Sequence, residues 1–220
     1  MSEGLHIHNK WPIAKEGFPF VFTGLGLTFL FVLLGLFFVS IMVGILTLFI
    51  IFFFRDPDRQ YEAGNKSVVS PADGKILEVR RLEDGNNPLG VPGHRISIFM
   101  SVFNVHVNRV PIAGRIKKIA YQSGKFFSAN LDKASKYNES NCITLETRDS
   151  QHVVFIQIAG FIARRIACWV EEADDVETGQ RFGLIRFGSR LEVYLPKNAF
   201  ITAQKGQKVK AGASVIGNMA

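Results

Sequence analysis

The sequence predicts a mainly β protein: a duplicated β-sandwich or hybrid-barrel-like soluble domain with few short helices, preceded by an N-terminal transmembrane helical hairpin. Three observations carry this. Residues 18–54 contain no charged side chain. Beyond them, short strand-like runs alternate with Gly, Pro, Asn and Asp clusters, as in all-β domains. A Val-x-x-Gly pattern also recurs, as Val176-Glu-Thr-Gly179 and, 33 residues later, Val209-Lys-Ala-Gly212, with an apolar pair a few residues further on in each case.

The uncharged run is 37 residues long. One straight helix of that length spans roughly 55 Å, against a hydrocarbon core of about 30 Å. Two short helices turning near Gly35 or Ser40 fit better. Lys10 and Lys15 precede the run and Arg55 and Arg59 follow it, so both flanks read as cytoplasmic and the number of crossings is even. A cleaved signal peptide has an apolar core of only about 7–15 residues and a small-residue cleavage site, and neither is present. The expected organisation is a cytoplasmic segment 1–17, a membrane hairpin 18–54 and a β-rich domain 55–220.

The net charge is +7, and the first 54 residues contribute nothing to it because Glu3 and Glu16 offset Lys10 and Lys15. The excess sits on the soluble part, where it favours the anionic cytoplasmic leaflet. Nucleic acid is the usual rival for a basic chain, but the basic residues are scattered and an anchor is present, so no nucleic-acid partner is expected. Cys142 and Cys168 lack metal-ligand spacing and read as reduced packing residues, and no metal is expected.

In the soluble part, strand-like runs cover residues 75–80, 95–103, 116–121, 142–146, 152–158, 162–170, 182–187 and 191–195. Pro71, Pro92, Pro111 and Pro196 punctuate their ends. Only 126–136 reads as a helix or long loop, with Phe126-Phe127 either dipping into a membrane interface or packed. The Gly-Gln-Lys-Val-Lys-Ala-Gly segment that ends at Gly212 looks like the hairpin of biotinyl- and lipoyl-type sandwiches. No lysine lies between methionines, so cofactor carriage is set aside.

Gly188-Ser189 interrupts two apolar strand-like stretches. Glycine permits a backbone that other residues resist, and the adjacent serine can reach back to its carbonyl. Four more motifs accompany it in order: Phe54-Arg-Asp-Pro-Asp-Arg59, Ser70-Pro-Ala-Asp-Gly74, Phe99-Met-Ser-Val-Phe-Asn-Val-His-Val-Asn-Arg-Val-Pro111 and Gln157-Ile-Ala-Gly-Phe-Ile-Ala-Arg-Arg165. Together they resemble the phosphatidylserine decarboxylase proenzymes, most closely their short, membrane-anchored bacterial branch.

The resemblance implies autocatalytic serinolysis at Gly188-Ser189, leaving a β chain 1–188 and an α chain 189–220 that stay associated. Ser189 becomes a pyruvoyl group, the cofactor, which forms a Schiff base with the serine head group and accepts the charge released on decarboxylation. The implied product is phosphatidylethanolamine, the substrate is a phospholipid in the membrane, and a homodimer is allowed. The catalytic domain is expected on the cytoplasmic face of the cell membrane.

By the same resemblance Asp73 is the acidic member of the self-processing relay; the alternative is an Asp-Gly turn. Longer members carry His-x-x-His-x-Pro, whereas this chain has His106-Val-Asn-Arg109-Val-Pro111. His106 is the candidate for proton transfer, or else a satisfied strand histidine. Arg109 cannot act as a neutral base, but its fork suits a carboxylate or phosphate. Arg164 and Arg165 are either lipid-phosphate ligands or a solvated pair. His94 and His152 have no motif behind them. Two rival functions remain open at this point: decarboxylation of an ether-lipid serine head group, and a membrane-tethered β-sandwich adaptor without chemistry.

Overall fold

A computed structural model describes residues 12–59, 64–124, 138–160, 165–186 and 189–220. The expectations for 126–136, Gly188 and Arg164 lie outside these residues. The chain divides into two units, the apolar segment within residues 9–58 and the β domain from Arg59 onward.

In the apolar unit, helices α1 (Phe18–Leu33) and α2 (Phe37–Phe53) are joined by a turn in which Gly35 takes a left-handed φ of 71°. This is the hairpin expected from the length of the uncharged run, turning at Gly35 rather than Ser40. Residues 15–33 are long and apolar enough to cross a membrane; α2 is slightly shorter. Gly24 allows close packing, since a Cβ there would meet Thr47 Oγ1 at 2.3 Å. The hydroxyls of Thr28, Ser40 and Thr47 donate to carbonyls of their own helix, which satisfies them without solvent. The two ends of the hairpin meet: Ala14 N donates to Phe54 O, and Ile13 bridges Arg55.

The β domain repeats one unit twice. Its first copy contains β1 (Ser67–Val69), β2 (Gly74–Leu82) and β3 (Gly93–Met100), and its second contains β4 (Val107–Arg109), β5 (Gly114–Gln122), β6 (Ser140–Thr147), β7 (His152–Ala159), β8 (Ile166–Cys168), β9 (Asp175–Val176) and β10 (Arg181–Ile185). The chain then returns to finish the first copy with β11 (Ser189–Pro196), β12 (Phe200–Ile201), β13 (Lys208–Val209) and β14 (Val215–Asn218). The eight-stranded sheet runs β13-β2-β3-β11-β7-β6-β5-β9, and its two halves mirror one another about the central β11–β7 pair. The small sheets, β1-β14-β12 and β4-β10-β8, are likewise counterparts.

The duplication extends to individual hydrogen bonds. Val69 N donates to Pro111 O and Arg109 N to Pro71 O; Gly212 N donates to Ser70 O and Gly179 N to Val110 O. Both β2 and β5 carry a bulge, after Ile76 and after Ile116. The Val-x-x-Gly echo marks the two outermost strands, each followed by a glycine with positive φ (Gly179, 79°; Gly212, 67°). A second echo, Pro71-Ala-Asp-Gly-Lys-Ile76 against Pro111-Ile-Ala-Gly-Arg-Ile116, opens β2 and β5 and was also present in the sequence.

The core lies on one face of the curled large sheet, where Ile76, Ile98, Leu191, Val193, Phe155, Ile143 and Ile116 bury their side chains against the small sheets. Several strand ends differ from expectation: among the described residues the 162–170 run keeps only Ile166–Cys168 as strand, and the 182–187 run ends at Ile185. The 95–103 run stops at Met100 because Asn104 Oδ1 accepts from both the amide and the hydroxyl of Ser101, closing a turn. Ser189 does not precede its strand but is its first residue.

Candidate active site

Ser189 begins the central strand β11, paired with Met100 of β3 on one side and Ala159 of β7 on the other. It is fully buried, and its Oγ donates to Met100 Sδ at 3.3 Å. The same sulfur receives Asn108 Nδ2 at 3.7 Å. From there a line of buried amides runs inward: Gln157 Nε2 donates to Asn108 Oδ1 at 2.9 Å and Asn141 Nδ2 to Gln157 Oε1 at 3.0 Å. Gly183 makes room for it, because a Cβ there would lie 3.1 Å from Gln157 Nε2 and 2.3 Å from Ala167 O. These amides are neutral, and they connect to the serine hydroxyl through the Met100 sulfur.

Met100, Asn108 and Gln157 lie inside the quoted motifs yet were not singled out from sequence. The signal was there: Asn108 aligns with Val68 of the first copy, so a polar residue replaces an apolar one at a fully buried position.

His106 immediately precedes β4 and is fully buried. Its Nδ1 lies 2.9 Å from Asn104 O. A carbonyl can only accept, so Nδ1 carries the proton and, in the neutral ring, Nε2 is the basic nitrogen. His106 O accepts from Ile185 N at 3.4 Å, which puts the histidine beside the end of β10, the strand that leads toward residue 189.

Asp73 ends the turn before β2. Lys75 pairs with Phe99 and Met100 pairs with Ser189, so Asp73 stands at the Ser189 end of the sheet with β3 between them. Its Oδ1 accepts from Ala211 N at 2.7 Å and its Oδ2 from Arg59 Nη2 at 3.1 Å. Ser189 Oγ thus donates to Met100 Sδ, while the carboxylate of Asp73 is engaged by a backbone amide and an arginine.

Arg109 is nearly buried; Nη1 donates to Gly179 O at 3.0 Å, and its side chain passes against Gly212, where a Cβ would be 2.5 Å from Arg109 Cδ. Arg165 is exposed, and its carbonyl accepts from Arg186 N at 3.4 Å, close along the chain to Ser189. On the opposite face of β11, Arg190 and Glu192 form a buried ion pair at 2.7 Å, joined by Ser97 and by the Tyr194 hydroxyl. Among the described residues no group of His, Cys, Asp and Glu is placed to hold a metal ion. A cavity of about 270 Å³ lined by Lys66, Ile112, Thr147, Arg148 and Met219 lies at the far end of β6, away from Ser189.

Residues 46–217 match the family described as Phosphatidylserine decarboxylase. The protein named phosphatidylserine decarboxylase proenzyme in Syntrophus aciditrophicus is 51% identical over 207 residues, covering 93% of this chain and 96% of the relative. The protein of that name in Desulfotalea psychrophila is 42% identical over 208 residues (94% and 97%), and one in Rickettsia bellii is 49% identical over 174 residues (78% and 75%). With five motifs in order, a buried serine at the head of the central strand and relatives matched over 75–97% of their length, this chain belongs to the phosphatidylserine decarboxylase family.

Proposed function

We propose that this protein is a self-processing, membrane-anchored decarboxylase that converts phosphatidylserine to phosphatidylethanolamine. The observation that carries the reading is the Ser189 hydroxyl, buried and held by Met100 at the first residue of β11, in a chain of this family. Ser189 Oγ attacks the Gly188 carbonyl; the new C–O bond forms as the peptide C–N bond breaks, leaving an ester and a free amine. Elimination expels the Gly188 carboxylate, and water then displaces the nitrogen as ammonia. Residue 189 is left as a pyruvoyl group at the head of a chain 189–220, with 1–188 as its partner.

The surroundings fit that group. Position 189 is fully buried, is flanked by a thioether that a neutral amide contacts in turn, and is held between two strands of the other chain, so β11 stays in place after the cut. When formed, the group supplies an electron sink for the charge left as carbon dioxide departs. His106 Nε2 is the candidate to accept and return protons. Asp73, locked by Arg59 and Ala211, is the candidate acid of self-processing. Its carboxylate is not needed to make the turn, since Ala113 occupies the same turn in the second copy with the same backbone hydrogen bonds. Exposed Arg165, with Arg164, suits the lipid phosphate, whereas the bonds of Arg109 to Gly179 favour a role in holding the 179 and 212 turns together. The hairpin anchors the chain in the cell membrane, with the β domain on the cytoplasmic face.

Intact mass of the purified protein tests this. Two fragments are expected, the smaller beginning with a pyruvoyl group at position 189. Ser189→Ala should remain a single chain without decarboxylase activity. A wild-type chain that stays uncut on incubation at neutral pH would sink the reading.

A further inference from the structure

The two copies of the β unit carry opposite charge at equivalent edge positions. In the second copy, Asp175 of β9 pairs with Arg115 of β5. In the first copy the corresponding pair is Lys208 of β13 opposite Lys75 of β2. The contrast continues along the edge: Lys205 stands where the second copy has Glu172, and Lys210 where it has Glu177. The second edge neutralises itself. Glu177 meets Arg148 at 3.4 Å, Glu146 meets Lys117 at 2.9 Å, and Glu172 accepts from Ile119 N at 2.8 Å. All four lysines of the first edge are exposed, and none has an ion-pair partner among the described residues.

Folding does not demand this arrangement, because the same hairpin forms with acids in the other copy. Like charges directly opposite on adjacent strands work against stability. Protection of an edge strand from aggregation needs a charge of either sign, and β9 obtains it with acids. The lysines are therefore left open to a partner beyond the described residues. Val209 points into the core, so Lys208 and Lys210 share the outer face with Lys75. Ala211, the next residue, donates its N–H to Asp73, so this basic edge adjoins the Asp73 end of the sheet.

We propose that Lys75, Lys205, Lys208 and Lys210 form a docking surface for anionic phospholipid head groups, which holds the first copy of the β unit against a negatively charged bilayer. The occupant follows from charge complementarity and from the 37-residue uncharged segment of the same chain, which supplies its own route to a membrane. The inference rests on the membrane reading of that segment and not on the chemistry at Ser189.

The test uses the full chain in uncharged detergent micelles, titrated with short-chain phosphatidylglycerol, an anionic lipid without an amine, or with short-chain phosphatidylcholine. Phosphatidylglycerol should bind more tightly and weaken as salt rises. Lys75→Gln/Lys208→Gln should weaken it about 30-fold, near five-fold for each lysine. Lys208→Asp, which copies the Arg115–Asp175 pattern, should lose phosphatidylglycerol binding while melting at the same temperature or higher. Intact mass of each variant reports self-cleavage separately, so failure at Ser189 is not confused with failure here. Equal binding of the two lipids at low salt, or unchanged phosphatidylglycerol binding in both variants, would overturn the proposal.

Discussion

The two copies of the β unit share strands, bulges and backbone hydrogen bonds, yet the candidate site occupies the places where they differ. Asp73 stands where the second copy has Ala113, and Asn108 where the first has Val68. Register maps Ser189 as well. Leu191 pairs with Ile98, which pairs with Ile76; Val153 pairs with Leu145, which pairs with Ile116. Ser189, two residues before Leu191, therefore corresponds to Gln151, which sits in the tight turn between β6 and β7. One copy enters its central strand by a short hairpin turn. The other enters after the whole second copy has been inserted, through the link that contains Gly188. The repeated scaffold supplies rigidity, and the departures from repetition supply polar groups that packing alone does not require.

The sharpest way to break this comparison is at Asp73. Asp73→Asn keeps the shape and the acceptor for Ala211 N but removes the charge facing Arg59. Self-cleavage, followed by intact mass over time, should slow by about 10²–10⁴-fold if the carboxylate takes part in proton transfer. Thr178→Ala, which removes the hydroxyl that accepts from Ala113 N in the second copy, should leave cleavage unchanged. Equal effects at the two positions would reduce Asp73 to a turn residue.

The outer face of β11 gives the next contrast. Its Arg190–Glu192 pair is almost wholly buried, whereas Val154, the β7 counterpart of Glu192, is apolar. Glu192→Ala leaves a buried guanidinium without its carboxylate and should cost about 3–5 kcal/mol, read as a lower melting temperature of the full chain. Replacing both members with apolar residues of similar volume, as Arg190→Met/Glu192→Val, should recover most of that loss.

Asn108→Val installs the residue of the first copy and should fold. Gln157 then loses its acceptor and Met100 its donor, so the Ser189 hydroxyl is less well ordered. Cleavage should slow by up to about 100-fold, with the mass of the eventual products unchanged. Asn108→Asp, which keeps the acceptor for Gln157, should separate the two contacts: retained speed assigns the effect to Gln157 and lost speed to Met100.

Much of this was legible in the sequence because it depends on local pattern. The uncharged run gave the hairpin, and alternation with turn residues gave most strands of the large sheet. The two-residue strands β9, β12 and β13 carry too few residues for periodicity; the Val-x-x-Gly echo marks β9 and β13, and pairing alone defines β12. Asn108 and Gln157 read as ordinary strand polar residues because their significance lies in a contact 49 residues apart in the chain. The opposition of Lys208 to Lys75 depends likewise on register, which the fold alone decides.

The smallest effect expected is at high pH. Burial, with the nearby Glu192 carboxylate that accepts its hydroxyl at 2.7 Å, raises the Tyr194 phenol above its ordinary value of 10.0. Its folded-state value therefore lies above the unfolded one. Between the two the folded protein holds a proton that the unfolded chain releases, so the contribution is complete below about pH 10 and declines as pH rises toward the folded value. Ile156, its β7 counterpart, has nothing to titrate. Tyr194→Phe should thus flatten the fall in melting temperature above pH 10 while lowering stability slightly at pH 7, because Glu192 loses a donor. An alkaline profile identical to wild type would show that the face of β11 bearing the ion pair is no more sensitive to pH than the apolar face of β7.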